Sequence, residues 1–106
     1  MSRPDLIGAA RGLEVLTGED RTGWSAPPER DALAKTFRFA DFNAAFGWMT
    51  RMAMAADKLD HHPEWFNVYS RVEVLLATHD AGGVTSLDVE LARVMDDAAS
   101  KTGETS

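Results

Sequence analysis

Three histidines are the residues of this chain best suited to chemistry near neutral pH: His61 and His62, adjacent in "DKLDHHPEW", and His79 in "LLATHDAGG". An imidazole with an ordinary pKa of about 6.5 can give or take a proton, and its neutral form can bind a metal ion. A zinc centre needs three or four ligands converging at about 2.0 Å, and familiar spacings put two histidines one helical turn apart. Adjacent histidines in an extended segment point to different sides. The chain has no cysteine, and the acids near the histidines are Asp57, Asp60, Asp80 and Asp88, a poor set for a transition metal. Proton transfer is therefore favoured over metal binding. A purely structural reading stays open beside it, with His62 at the surface and His61 closing a helix, where an imidazolium meets the carbonyl end of the helix dipole.

These groups need elements to position them. "DFNAAFGWMTRMAMAADKLD" predicts a helix with Asp41 as N-cap. It has one apolar stripe of Phe42, Phe46, Met49, Ala53 and Ala56 and a second of Trp48, Met52, Ala55 and Leu59. Two stripes exceed what one buried face needs and point to a partner subunit. Pro63 disfavours helical geometry at His62 and ends the helix near Asp60 or His61. "WFNVYSRVEVLLATH" is rich in β-branched and aromatic residues; it predicts strands at about 65–69 and 72–78, a tight turn at Ser70-Arg71, and His79 at the end of the second strand. After the glycine loop "DAGGV", Thr85 and Asp88 have capping-box spacing, and Leu87, Leu91, Val94, Met95 and Ala98 mark the face of a last helix. All three histidines thus fall at ends of adjacent elements, where one mouth could gather them.

The N-terminal third is less regular. Leu6, Ile7, Ala10, Leu13 and Leu16 fit one side of a helix that Gly8 and Gly12 each weaken by roughly 1 kcal/mol. A short segment at Trp24, a turn at Pro27-Pro28-Glu29-Arg30 and a strand over 32–39 follow. Residues 100–106, "SKTGETS", read as a flexible tail. At 106 residues a single domain spanning 1–106 is expected. A net charge of −6 with scattered basic residues argues against a nucleic-acid footprint. No run approaches the roughly 20 apolar residues of a membrane span, and the absence of cysteine suits a reducing cytoplasm.

The motifs resemble the pterin-4a-carbinolamine dehydratase family. Its pattern is an acid, three residues, His-His-Pro, an aromatic after five more, a histidine after nine more and a later Asp; here these are Asp57, His61-His62-Pro63, Tyr69, His79 and Asp88. "DHHPEWFNVY", "THDAGGVTSLD" and "FRFADFNAAFGWMTR" also resemble family sequence, so the likeness runs from about Trp24 to Ala98. Asp57 stands where the family often has Glu, and residues 1–23 diverge from the usual N-terminal helix.

The resemblance implies an α+β fold, a four-stranded antiparallel sheet with helices packed on one face in the order α-β-β-α-β-β-α. It implies a hydro-lyase that dehydrates 4a-hydroxytetrahydropterin to quinonoid dihydropterin in tetrahydropterin recycling, with no metal and no cofactor. His61 and His79 become the acid–base pair and His62 a substrate-orienting group, with Pro63, Thr78, Asp80 and Ala81 in the substrate walls. Asp57, Asp60 and Asp88 are supporting acids, Asp60 and Asp88 as groups that fix imidazole tautomers. A homodimer or homotetramer and a functional link to an aromatic amino acid hydroxylase are further implications. A non-catalytic coactivator module of the same fold, or a dehydratase-like protein of molybdopterin metabolism, are the competing expectations.

Overall fold

The computed structural model describes residues 4–103; of the expected tail at 100–106, residues 100–102 belong instead to the last helix and Gly103 caps it, while 104–106 and the first three residues lie outside the described residues. The elements run α1 (Ala9–Gly18), β1 (Leu33–Arg38), α2 (Phe42–Leu59), β2 (Glu64–Val68), β3 (Arg71–Leu76), a 3-10 turn (His79–Ala81) and α3 (Ser86–Thr102). The sheet is antiparallel in the order β1-β3-β2. It has three strands, not the expected four, and the order is α-β-α-β-β-α. The segment at Trp24 contributes only one bridge, Ser25 to Ala34, with both backbone bonds at 2.8 Å. Pro27 and Pro28 follow at once and carry no N–H for a ladder, so the pairing stops there.

Strand alternation decides what the sheet buries. Register pairs Leu33 with Leu76, Lys35 with Val74 and Phe37 with Val72, and Trp65 faces Val74 from the other side. This face meets the helices: the Phe37 ring lies 4.6 Å from that of Trp48 on α2, and Trp48 in turn lies 6.3 Å from Trp65. Lys35 points inward with them. Its ammonium is held by Asp96 of α3 at 2.7 Å and sits over the Phe37 ring, which supplies the pairing a nearly buried cation requires. The opposite face, with Ala34, Thr36, Glu64, Phe66, Glu73 and Leu75, borders an open groove of about 590 Å³.

Helix α1 forms despite its glycines. Gly8 precedes it at φ 87, and Gly12 lies where a Cβ would stand 2.9 Å from Val84 Cγ1; the residue that lowers helix propensity permits the close approach. Asp31 accepts the Ala9 N–H at 2.6 Å and so caps a helix that has no cap of its own. On α2, Asp41 accepts from the Ala44 N–H as expected. The buried residues of α2 are Ala45, Trp48, Met52 and Ala56, while Phe42, Phe46 and Met54 are exposed. The sheet-facing stripe is therefore the one through Trp48 and Met52, and Ala56 joins it instead of the Phe42 stripe. In the hairpin the turn falls one residue earlier than expected, at Tyr69-Ser70, with Tyr69 at φ 51. Asn67 holds it through bonds to the Tyr69 and Arg71 carbonyls, and Arg71 is already in β3. No helix among the described residues is long and apolar enough to cross a membrane.

Candidate active site

The end of α2 turns His61 inward. Asp60 takes the left-handed conformation at φ 51, which Asp tolerates better than most residues, and the His61 N–H closes back on the Ala56 carbonyl at 3.0 Å. His61 is 5% exposed. Pro63 then sends the chain into β2, and His62, on the other side of this extended link, has a 60% exposed side chain whose Nε2 lies 3.4 Å from Asp57.

His79 does not end a strand. β3 stops at Leu76 because Thr78 bridges to Gly83 and gathers a tight loop around its own carbonyl, which accepts from the Ala81, Gly82 and Gly83 N–H groups at 3.1, 3.0 and 3.2 Å. His79 opens the 3-10 turn inside that loop, and Gly82 closes it at φ 80, a conformation glycine adopts without steric cost.

Against His61 lies Asp88, fully buried. Its Oδ1 meets His61 Nε2 at 2.5 Å; its Oδ2 accepts from the Thr78 hydroxyl and the Thr85 N–H, both at 2.8 Å. The capping box expected of Thr85 and Asp88 is present. Asp88 therefore serves as helix carboxylate and as imidazole partner together.

His61, His62, Ala77, Thr78, His79 and Asp80 line one cavity of about 200 Å³. Pro63 and Ala81 are not among its lining residues; they shape the segments that hold His62 and His79. Thr78 faces the cavity, but its hydroxyl is engaged by Asp88 and its N–H and carbonyl by the loop, so its role here is to position. The groove on the open sheet face is larger, yet no histidine borders it, and all three histidines line the smaller cavity. Among the described residues no group of three or more His, Cys, Asp or Glu side chains is arranged to hold a metal.

One charged pair beside the site went unread in the sequence. Arg30 grips both oxygens of Glu64 at 3.0 and 2.8 Å, and these hydrogen bonds hold the Glu64 carboxyl below its usual range against an opposing desolvation effect; the charges of Arg30 and His79 act in the same direction as the hydrogen bonds. Glu64 is thus within electrostatic reach of His79. No local motif links residues 30 and 64, so only the fold could bring them together.

Comparison with known proteins identifies the family. Residues 9–98 match the family described as Pterin 4 alpha carbinolamine dehydratase. The chain belongs to this family of dehydratases, which are hydro-lyases. It is similar to a protein of Bordetella avium (strain 197N), 63% identical over 82 residues covering 77% of this chain and 76% of the relative, and to one of Bradyrhizobium sp. (strain ORS 278), 65% identical over 77 residues covering 73% and 77%. Both relatives carry the provisional name pterin-4-alpha-carbinolamine dehydratase. Its fold is similar to the crystal structure of a transcriptional coactivator/pterin dehydratase from Brucella melitensis, with a TM-score of 0.77 and 48% identity over 85% of this chain and 90% of that one.

Proposed function

We propose that this protein dehydrates 4a-hydroxytetrahydropterin to quinonoid dihydropterin and water, with His61 and His79 as the acid–base pair and His62 orienting the substrate. The observation that supports this reading most directly is that three histidines from two separate segments line one cavity. An acid protonates the 4a hydroxyl, the N5 lone pair forms the C4a–N5 double bond as the C4a–O bond breaks and water leaves, and a base takes the N5 proton. One proton is given and one taken, so the reaction balances without a metal or redox partner. Each positioned proton transfer is typically worth about 10² to 10⁴ in rate. Ala77 borders the cavity just past the end of β3, where a backbone donor and acceptor would suit the polar edge of a pterin ring.

The wider setting belongs to the same proposal: a cytoplasmic enzyme that recycles tetrahydropterin for an aromatic amino acid hydroxylase and works as a homodimer or homotetramer. Phe42 and Phe46, exposed on α2 with ring centroids 5.6 Å apart, and the exposed Met54 support a subunit contact there. The Brucella relative is also named a transcriptional coactivator, which suggests a binding module as the second reading; the assembled histidine cavity favours dehydration.

The deciding experiment measures dehydration of 4a-hydroxytetrahydropterin, generated in situ by a hydroxylase, with purified chelator-treated protein against buffer. Acceleration that survives chelation is expected. No acceleration by folded protein would give first place to the binding module.

A further inference from the structure

Two consecutive residues reach both walls of the histidine cavity without lining it. Arg30 donates to both carboxylate oxygens of Glu64 at 3.0 and 2.8 Å, and Glu64 directly follows His62 and Pro63. Asp31 turns to the other wall. Its Oδ1 accepts from the Val84 N–H at 3.4 Å as well as from the Ala9 N–H, and its carboxyl packs so closely on Gly83 that a Cβ there would stand 2.6 Å from Cγ. Gly83 closes the loop that carries His79: its carbonyl accepts from the Thr78 N–H at 2.8 Å, and its own N–H donates to the Thr78 carbonyl at 3.2 Å.

Strand register explains how one dipeptide serves both walls. Leu75 of β3 pairs with Ala34 on one side and with Glu64 on the other, so the start of β1, the end of β3 and the start of β2 share one end of the sheet. His62 and His79 stand just beyond that end. Residues 26–33 are enclosed by the bridge between Ser25 and Ala34, with both backbone bonds at 2.8 Å, and Pro27 and Pro28 each fix a φ angle within them. A segment closed at its base and stiffened by two prolines has little freedom left to lose when its tip is engaged. The grip on Glu64 is bidentate, which fixes direction as well as distance.

We propose that Arg30 and Asp31 form a clamp that positions the two exposed histidines: Arg30 holds residues 62–64 through Glu64, Asp31 holds the loop 78–84 through Gly83 and Val84, and their adjacency in the chain sets the separation of His62 from His79. The clamp acts on the backbone, and the exposed imidazoles can still turn to meet what binds. His61 lies outside it, tied to Asp88 from within the core. The Arg30 and Glu64 side chains are 44% and 59% exposed, so their pair adds little to stability, and its value lies in what it holds in place. The kinetic effects of the clamp rest on the dehydratase reading above; its effects on the two rings do not.

The test combines NMR of the histidine rings in the substrate-free protein with steady-state dehydration kinetics, each variant being assayed well below its Tm. Arg30→Met removes the guanidinium and keeps an apolar stem. It should shift the ring signals of His62 and His79 and leave those of His61 in place. KM should rise about two- to fivefold with kcat changed less than about twofold, and Tm should move by no more than about 2 °C; a loss of folded protein would instead lower kcat at constant KM. Glu64→Met should do the same, and the double variant should be no worse than the worse single one, because both break one contact. Asp31→Ala should shift the same two rings and lower kcat about tenfold by displacing His79, and Asp31→Asn, which keeps Oδ1 as an acceptor, should restore both. Unchanged ring signals and KM in Arg30→Met and Glu64→Met would overturn the clamp, as would additive effects in the double variant. Wild-type protein without dehydratase activity, in which the variants still shift the two rings, would remove the proposed reaction and leave the clamp standing.

Discussion

His61 and His62 are neighbours in the chain, yet the first is 5% exposed and bonded to a buried carboxylate, while the second is 60% exposed with the exposed Asp57 carboxylate at 3.4 Å. His79, across the same cavity, is also exposed. One side of the site is thus continuous with the helix caps and the core, and the other is a rim. Holding a proton-transfer group at a fixed angle needs satisfied, water-excluded partners; the rim groups have room to adjust to what binds. The same substitution should therefore have different consequences on the two sides.

The largest contrast is between His61→Ala and His79→Ala. Both should lower turnover by about 10²-fold or more if each histidine moves a proton. Only the first should also cost stability, because it strands the Asp88 carboxylate inside the protein, at about 3 kcal/mol or more and a Tm loss on the order of 10 °C. His79→Ala should leave Tm within about 2–3 °C of the wild type. Equal Tm values for the two variants would show that the buried side is not built into the fold as described.

Gly83→Ala tests how firmly the rim is tied to the rest. A Cβ at Gly83 would stand 2.6 Å from Asp31 Cγ and 2.8 Å from Leu6 Cδ1. Asp31 is the group that caps α1 at Ala9, and Gly83 is the partner of Thr78 in the bridge that closes the His79 loop. The clash should cost about 1–3 kcal/mol and reduce kcat as well, by moving His79 relative to His61. Loss of stability with full activity would mean that the loop tolerates displacement. His62→Ala comes next: KM should rise about three- to tenfold at nearly constant kcat, with no change in Tm, as expected for an exposed group that binds substrate and transition state alike. A fall in kcat equal to that of His79→Ala would instead make His62 a proton-transfer group.

How much of this was legible follows the range of each interaction. The Asp41 cap, the Thr85–Asp88 capping box and the break imposed by Pro63 act within a few residues and could be read directly. The histidine pair and His79 stood out because the chain has no others. The fourth strand was an implication of the family resemblance; the segment at Trp24 and Ser25 makes one bridge, and the two prolines that follow stop the ladder. The hairpin turn slipped by one residue because Asn67, two residues before it, fixes the register by bonding around the corner. Helix α1 was ambiguous because the cost of Gly12 is visible in sequence and its benefit, close contact with Val84, is not. The Arg30–Glu64 pair and the His61–Asp88 contact join segments 34 and 27 residues apart, and their chemistry becomes visible only once the fold is known.

The smallest effect is expected far from both sides of the cavity, and it calibrates the others. Glu19, just past α1, accepts from Arg93 of α3 and from Arg21. Hydrogen bonds from Arg93 and then Arg21 lower its carboxyl from 4.5 to about 2. A carboxyl depressed in the folded state stabilises the protein above its unfolded pKa, and that stabilisation is lost as pH falls through the folded value. The contribution should therefore be complete above about pH 4.5 and disappear toward pH 2. Glu19→Gln should lower Tm slightly at pH 7, by about 1–3 °C for an exposed pair of this kind, and the gap from wild type should close as the solution is acidified. Turnover at pH 7 should not change, since the cluster shares no residue with the cavity. A change in kcat would mean that the α1–α3 contact reaches the start of α3 and with it the carboxylate that holds His61, which would extend the buried side of the site across the whole helical layer.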